Sequence, residues 1–172
     1  MRNNTRNIVF LALTVALLAA AVYAELGREL RIAQAPLTRL DPATVQRLEV
    51  RCETCRTRRF ARNADGWRML EPYALPANAD AVAHLLAIAR APVRQRLPLP
   101  EYDLAKLGLS PPQFTLIIDD VVVSIGSEDS IEHDRYVRVG DELVRVADRF
   151  SARLLEAPER ELAADPNSAQ NP

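Results

Sequence analysis

Hydrophobic and polar positions change rhythm several times along this chain. From Ile8 to Ala24 an apolar run of seventeen residues carries neither charge nor proline. As a helix it covers roughly 25 Å, slightly less than the about 30 Å of a bilayer's hydrocarbon core. Tyr23 and Leu26 suit its interfacial end. Arg2, Arg6 and the α-amino group precede the run, and the first acidic residue is Glu25. The pattern therefore predicts a cytoplasmic N-terminus over 1–7, a transmembrane anchor over 8–26, and export of everything beyond. The rival reading is a cleaved leader, since Val22-Tyr23-Ala24 resembles a small-x-small cleavage site. The run exceeds the usual leader core of about 7–15 residues, which favours the anchor. A core helix would need protein on every side.

Residues 27–43 read as a linker: a short amphipathic continuation to Ala33, then a stiff spacer in which Pro36 and Pro42 forbid helix. Period-two alternation follows at 45–51, with Leu48 and Val50 on one face and Arg47, Glu49 and Arg51 on the other, the pattern of a half-buried strand. A second strand is expected over 56–62, a turn at Asn63–Gly66 with glycine at positive φ, and a third strand over 67–70. Asn78 then caps a helix with Asp80 in its first turn and Val82, Leu85, Leu86 and Ala89 at helical spacing, ended by Pro92. Beyond it come a short strand at 93–97 and a brief helix over 102–107 closed by Gly108. Two hairpins follow, 114–118 with 121–125 around Asp119-Asp120, and 135–139 with 143–146 around Gly140–Glu142, separated by a polar loop over 126–134. A last amphipathic turn spans 149–155, and the tail at 158–172 is expected to be disordered. The class is α+β: an N-terminal transmembrane helix, then one small exported domain over 44–157 of antiparallel β-hairpins with a central helix.

Charge changes this picture little. Without residues 1–24, which hold Arg2 and Arg6 and no acid, the net charge falls from −1 to −3, so no nucleic-acid partner is expected. Lys106 is the only lysine.

The order of signals, "LTRLDPATVQRLEV", "DGWRMLEP", "ADAVAHLLA", "YDLAKLGLSPPQFTLIID", "VVVSIG" and "RYVRVGDELVRV", resembles the bacterial domain-of-unknown-function 4340 family over roughly residues 38–156. The resemblance implies a membrane-anchored exported protein, in some members similar to accessory components near gliding-type ABC transporters. It implies no catalytic residues, and the Cys52-x-x-Cys55 pair stands apart from its pattern.

Candidate chemistry is sparse. Cys52 and Cys55 have a disulfide, a redox pair and a metal site as competing readings. Zinc needs about four ligands, and only His84 and His133 are left to supply them. A thioredoxin-type pair sits at a helix start, whereas strands flank this one. A disulfide across a hairpin end, adding roughly 2 kcal/mol, is the expected state. Arg47, Arg51, Arg56, Arg58, Arg59, Arg62 and Arg68 form a possible interaction face for anionic headgroups or an acidic partner, against a plain solvated sheet face. Register decides which of them share a face: Leu48 falls opposite Arg59 or opposite Phe60. His133 lies among Glu128, Asp129, Glu132 and Asp134, a weak cation candidate without calcium-loop order. No Gly-x-Ser-x-Gly, His-Glu-x-x-His or phosphate-binding glycine loop occurs, so neither an enzyme nor a cofactor nor a metal site is expected. These readings predict a non-catalytic periplasmic accessory protein on the inner membrane, serving an envelope complex such as an ABC-type transporter. The alternative is a periplasmic thiol–disulfide module using Cys52 and Cys55.

Overall fold

The structure, a computed structural model, describes residues 2–33 and 35–164. The chain divides into two compact units, one up to Ala35 and one from Pro36 onward. The first is a continuous helix, α1 (Arg2–Ala33), so the segment expected at 8–26 is part of a longer helix. Its large apolar side chains between Leu11 and Tyr23 are exposed, Leu18 by 67% and Tyr23 by 80%. Among the described residues, no helix is long and apolar enough to cross a membrane.

The second unit is α+β. Its strands are β1 (Arg47–Cys52), β2 (Arg58–Asn63), β3 (Gly66–Glu71), β4 (Leu75–Pro76), β5 (Val93–Leu97), β6 (Phe114–Ile118), β7 (Val121–Glu128), β8 (Asp134–Val139) and β9 (Glu142–Ala147). They form one antiparallel sheet in the order β4-β3-β2-β1-β6-β7-β8-β9-β5. The helix α2 (Ala79–Ile88) connects β4 to β5, the two edges of that sheet. Its buried Val82, Leu85, Leu86 and Ile88 share one core with Leu48, Val50, Phe60, Leu116 and Ile125 of the strands. Alternation explains this directly, because each strand turns every second side chain to the same face. Leu48 pairs with Phe60 on one side and Ile118 on the other, which settles the register that local sequence left open.

Local chemistry accounts for the turns. Gly66 closes the β2–β3 turn at φ +116, and Gly140 turns β8 into β9 at φ +56. Asp119 takes the left-handed conformation between β6 and β7, while its carboxylate accepts the Arg47 amide at 2.8 Å. Asn78 caps α2, its side-chain oxygen accepting the Asp80 amide at 2.9 Å.

Four expectations differ from the structure. The spacer before the domain is docked rather than free: the Leu37 and Thr38 amides donate to Ala91 and Ala89 carbonyls, and Pro36 bridges Pro92. The Ala89 carbonyl, at the C-cap of α2, is one of those that a helix end leaves without an internal partner. The brief helix over 102–107 is instead a 3₁₀ turn, Leu99–Glu101, followed by turns. There the Leu107 carbonyl accepts the Ser127 amide of β7 in place of an intrahelical bond. The polar loop is shorter than predicted, since β7 runs on to Glu128. The tail is ordered at its start: Pro158–Glu161 forms a 3₁₀ turn and Leu162 bridges Ala77, because Glu161 has a partner in the core. The rest of that predicted tail, 165–172, lies outside the described residues.

Candidate functional site

Cys52 and Cys55 are joined in a disulfide with Cα atoms 5.4 Å apart, just where β1 ends. The Cys55 amide donates to Cys52 Sγ at 2.9 Å, which tightens the four-residue corner. Arg51, the neighbour that favours a thiolate on charge grounds, is tied instead to Glu49 at 2.5 Å. No helix N-terminus adjoins the pair, so the feature that activates thioredoxin-type thiols is missing.

The seven arginines of the first strands do not share a face. Arg58 is 1% exposed, and this corrects its placement on a surface. It alternates with Arg59 and lies on the side of Phe60, a signal already present in the period of β2. Most of the others are engaged inside the unit. Arg59 pairs with Glu49 and Glu71, Arg56 donates to the Tyr73 hydroxyl at 3.4 Å, and Arg68 donates to the Ala74 carbonyl at 2.5 Å. Arg62 lies over the Trp67 ring, 5.2 Å from its centre, and also reaches the Ala43 carbonyl. Arg47 alone among the seven has a side chain without such a partner among the described residues. It lines a hollow of about 340 Å³ with Glu49, Arg59, Asp119 and Asp120, where charges of both signs answer one another.

The acidic loop is likewise self-satisfied. Hydrogen bonds from the Glu132 and Ile131 amides and the Tyr136 hydroxyl, with Arg145 nearby, hold the Asp129 carboxyl below the usual range. Glu132 meets Arg145 at 3.2 Å, His133 Nδ1 meets Glu128 at 2.5 Å, and buried Asp134 meets Arg94 at 3.2 Å. Among the described residues, no group of three His, Cys, Asp or Glu side chains is arranged to hold a metal ion.

A different cleft, of about 300 Å³, opens between the C-terminal half of α2, β5 and the short helix α3 (Ser151–Leu154). Its floor is apolar, with Ile88, Pro92 and Phe150, and its rim carries His84, Arg94, Arg149 and Arg153. Arg94 has its carboxylate in Asp134. His84, Arg149 and Arg153 have no acidic partner among the described residues. The Ala91 and Ala89 carbonyls just after α2 accept the Leu37 and Thr38 amides. In the sequence His84 stands out only as one of two spare metal ligands, and Arg149 and Arg153 not at all. Arg153 is on α3 and Arg149 in the turn before it, and only the packing of that segment beside α2 brings them to His84.

Residues 67–165, more than half of the chain, match the model of a family described as a domain of unknown function, DUF4340. The matched segment contains the whole rim of the cleft and excludes both cysteines. Neither a curated protein nor a solved structure matches.

Proposed function

We propose a function from one premise, that this chain belongs to the DUF4340 family. It is a non-catalytic accessory protein, held at the outer face of the inner membrane by one N-terminal span. Residues 1–7 stay in the cytoplasm, 8–26 form the span, and the unit from Pro36 stands in the periplasm. There it serves an envelope complex, with an ABC-type transporter as the partner class.

The observation that carries this reading is the closed Cys52–Cys55 pair, because disulfides persist in oxidising compartments. Exposed apolar side chains along α1 support the anchor, since a helix that bares Leu11, Leu18 and Tyr23 calls for apolar surroundings. As a helix the uncharged run from Ile8 to Ala24 covers roughly 25 Å, a short span that local bilayer thinning accommodates. The non-catalytic reading rests on the engagement of the chemical groups: the thiols are closed and His133 is bound to Glu128.

The test is an alkaline phosphatase reporter fused after Pro172, together with membrane crosslinking of the intact chain. Periplasmic activity and recovery of a membrane-complex subunit are expected. A reporter active only as a cytosolic fusion sinks the location, and with it the partner class.

A further inference from the structure

The rim of the cleft brings together two arginines and a histidine that no acid engages among the described residues. The arginines of β1–β3 are largely spent on carboxylates, carbonyls and an aromatic ring, whereas His84, Arg149 and Arg153 face the cleft without an acid. Two arginines and a histidine around an apolar floor fit a ligand with an anionic head and an apolar body. The chain itself says which. Pro36, three residues after the last residue of α1, is bridged to Pro92, and Pro92 lines this cleft. On the anchored reading above the unit works at a bilayer, and a phospholipid carries both parts.

We propose that the cleft seats the phosphate of an anionic phospholipid, docking the exported unit on the bilayer. Arg149 and Arg153 hold the phosphate oxygens, with guanidinium forks suited to that geometry. His84 closes the rim, and the floor of Ile88, Pro92 and Phe150 meets the glycerol end of the acyl chains. The proposal rests on the anchored reading above.

Full-length protein in nanodiscs of phosphatidylcholine, with or without phosphatidylglycerol, tests it by amide hydrogen exchange. Exchange over 84–97 and 149–155 is expected to slow about tenfold when phosphatidylglycerol is present. Arg149→Gln with Arg153→Gln, at an unchanged melting temperature, is expected to abolish the slowing, and the paired lysine variant to keep most of it. Equal exchange in the two discs overturns the proposal, as does full slowing in the glutamine variant. The same protection from inorganic phosphate or a polyglutamate peptide in detergent overturns the lipid assignment. Loss of the chain from phosphatidylcholine discs under alkaline extraction sinks the anchor alone. The cleft is then judged by whether the chain floats with phosphatidylglycerol vesicles and not with phosphatidylcholine ones.

Discussion

Arg58 and Glu161, 103 residues apart, meet inside the unit with side chains 1% and 2% exposed. The same guanidinium donates to the Leu154 carbonyl at 2.5 Å and the Glu156 carbonyl at 3.3 Å. One side chain from β2 thus fastens both the end of α3 and the segment that follows it. Glu161 Oε2 has no hydrogen-bond partner among the described residues. Burial pushes the Glu161 carboxyl up to about 7, against the opposing pull of Arg58.

This gives stability an unusual slope. Between its ordinary 4.5 and about 7, Glu161 holds a proton in the folded chain that the unfolded chain releases. Its contribution is complete below pH 4.5 and is lost as pH rises to about 7, a change of roughly 3 kcal/mol. Urea unfolding midpoints across that window read it. Glu161→Gln is expected to flatten the slope; an unchanged slope in the variant assigns it to other groups.

Asp148 works in the opposite sense. It accepts the Ser151 amide at 2.9 Å and the Ser151 hydroxyl at 2.5 Å, fixing the start of α3, and it pairs with buried Arg135. Burial pushes its carboxyl up, but the bonds from Ser151 and Arg135 prevail and hold it below the ordinary range. The stability it supplies is present above 3.8 and is lost as pH falls through its folded value. Asp148→Ala leaves the Arg135 charge with Glu128, at 4.0 Å, as its remaining carboxylate and is expected to cost about 3 kcal/mol in thermal unfolding at neutral pH. A loss below about 1 kcal/mol shows that Glu128, the Gly126 carbonyl and Gln113 suffice for Arg135.

Gly126 has no room for a side chain. A Cβ there would stand 2.2 Å from the Leu107 carbonyl oxygen and 2.9 Å from Leu109 Cγ, where the Gly-Leu loop crosses β7. Gly126→Ala is expected to lower stability by about 1–3 kcal/mol, because backbone rather than a flexible tip must move. Chemical denaturation checks it, and an unchanged midpoint shows that the loop yields freely. The two motifs of the family pattern, "GLSPP" and "VVVSIG", interlock at this crossing.

Replacing Cys52 and Cys55 with serine opens a very small loop, so a loss of roughly 2 kcal/mol is expected with the fold retained. Partner recovery by crosslinking is expected to survive the change. If recovery disappears while the melting curve shifts only slightly, the pair acts as a thiol–disulfide module and the accessory reading gives way to it. Mass analysis of alkylated protein from the periplasm is expected to find both thiols protected.

Much of the fold was legible because strands, turns and caps are local matters. Leu48 and Val50 alternate with charged residues wherever the strand ends up, Gly66 and Gly140 occupy turns that need positive φ, and Asn78 caps the helix that follows it. The two-residue separation of cysteines at a strand end likewise pointed to a covalent corner. Other features depended on partners far along the chain. An arginine destined for the core is chemically the same as one in water, and Arg58 becomes a structural residue only because Glu161 and the α3 carbonyls arrive beside it. The spacer and the first residues of the tail order for the same reason, since Ala89, Ala91 and Ala77 offer backbone partners that composition does not record. The cleft is the clearest case: His84, Arg94, Arg149 and Arg153 come from α2, β5, the turn into α3 and α3 itself. Sequence by itself determined which segments alternate, turn and cap, because those periods are properties of neighbours. Tertiary structure alone decided which charges are neutralised and which are left facing a ligand, because that depends on contacts that chain order does not specify.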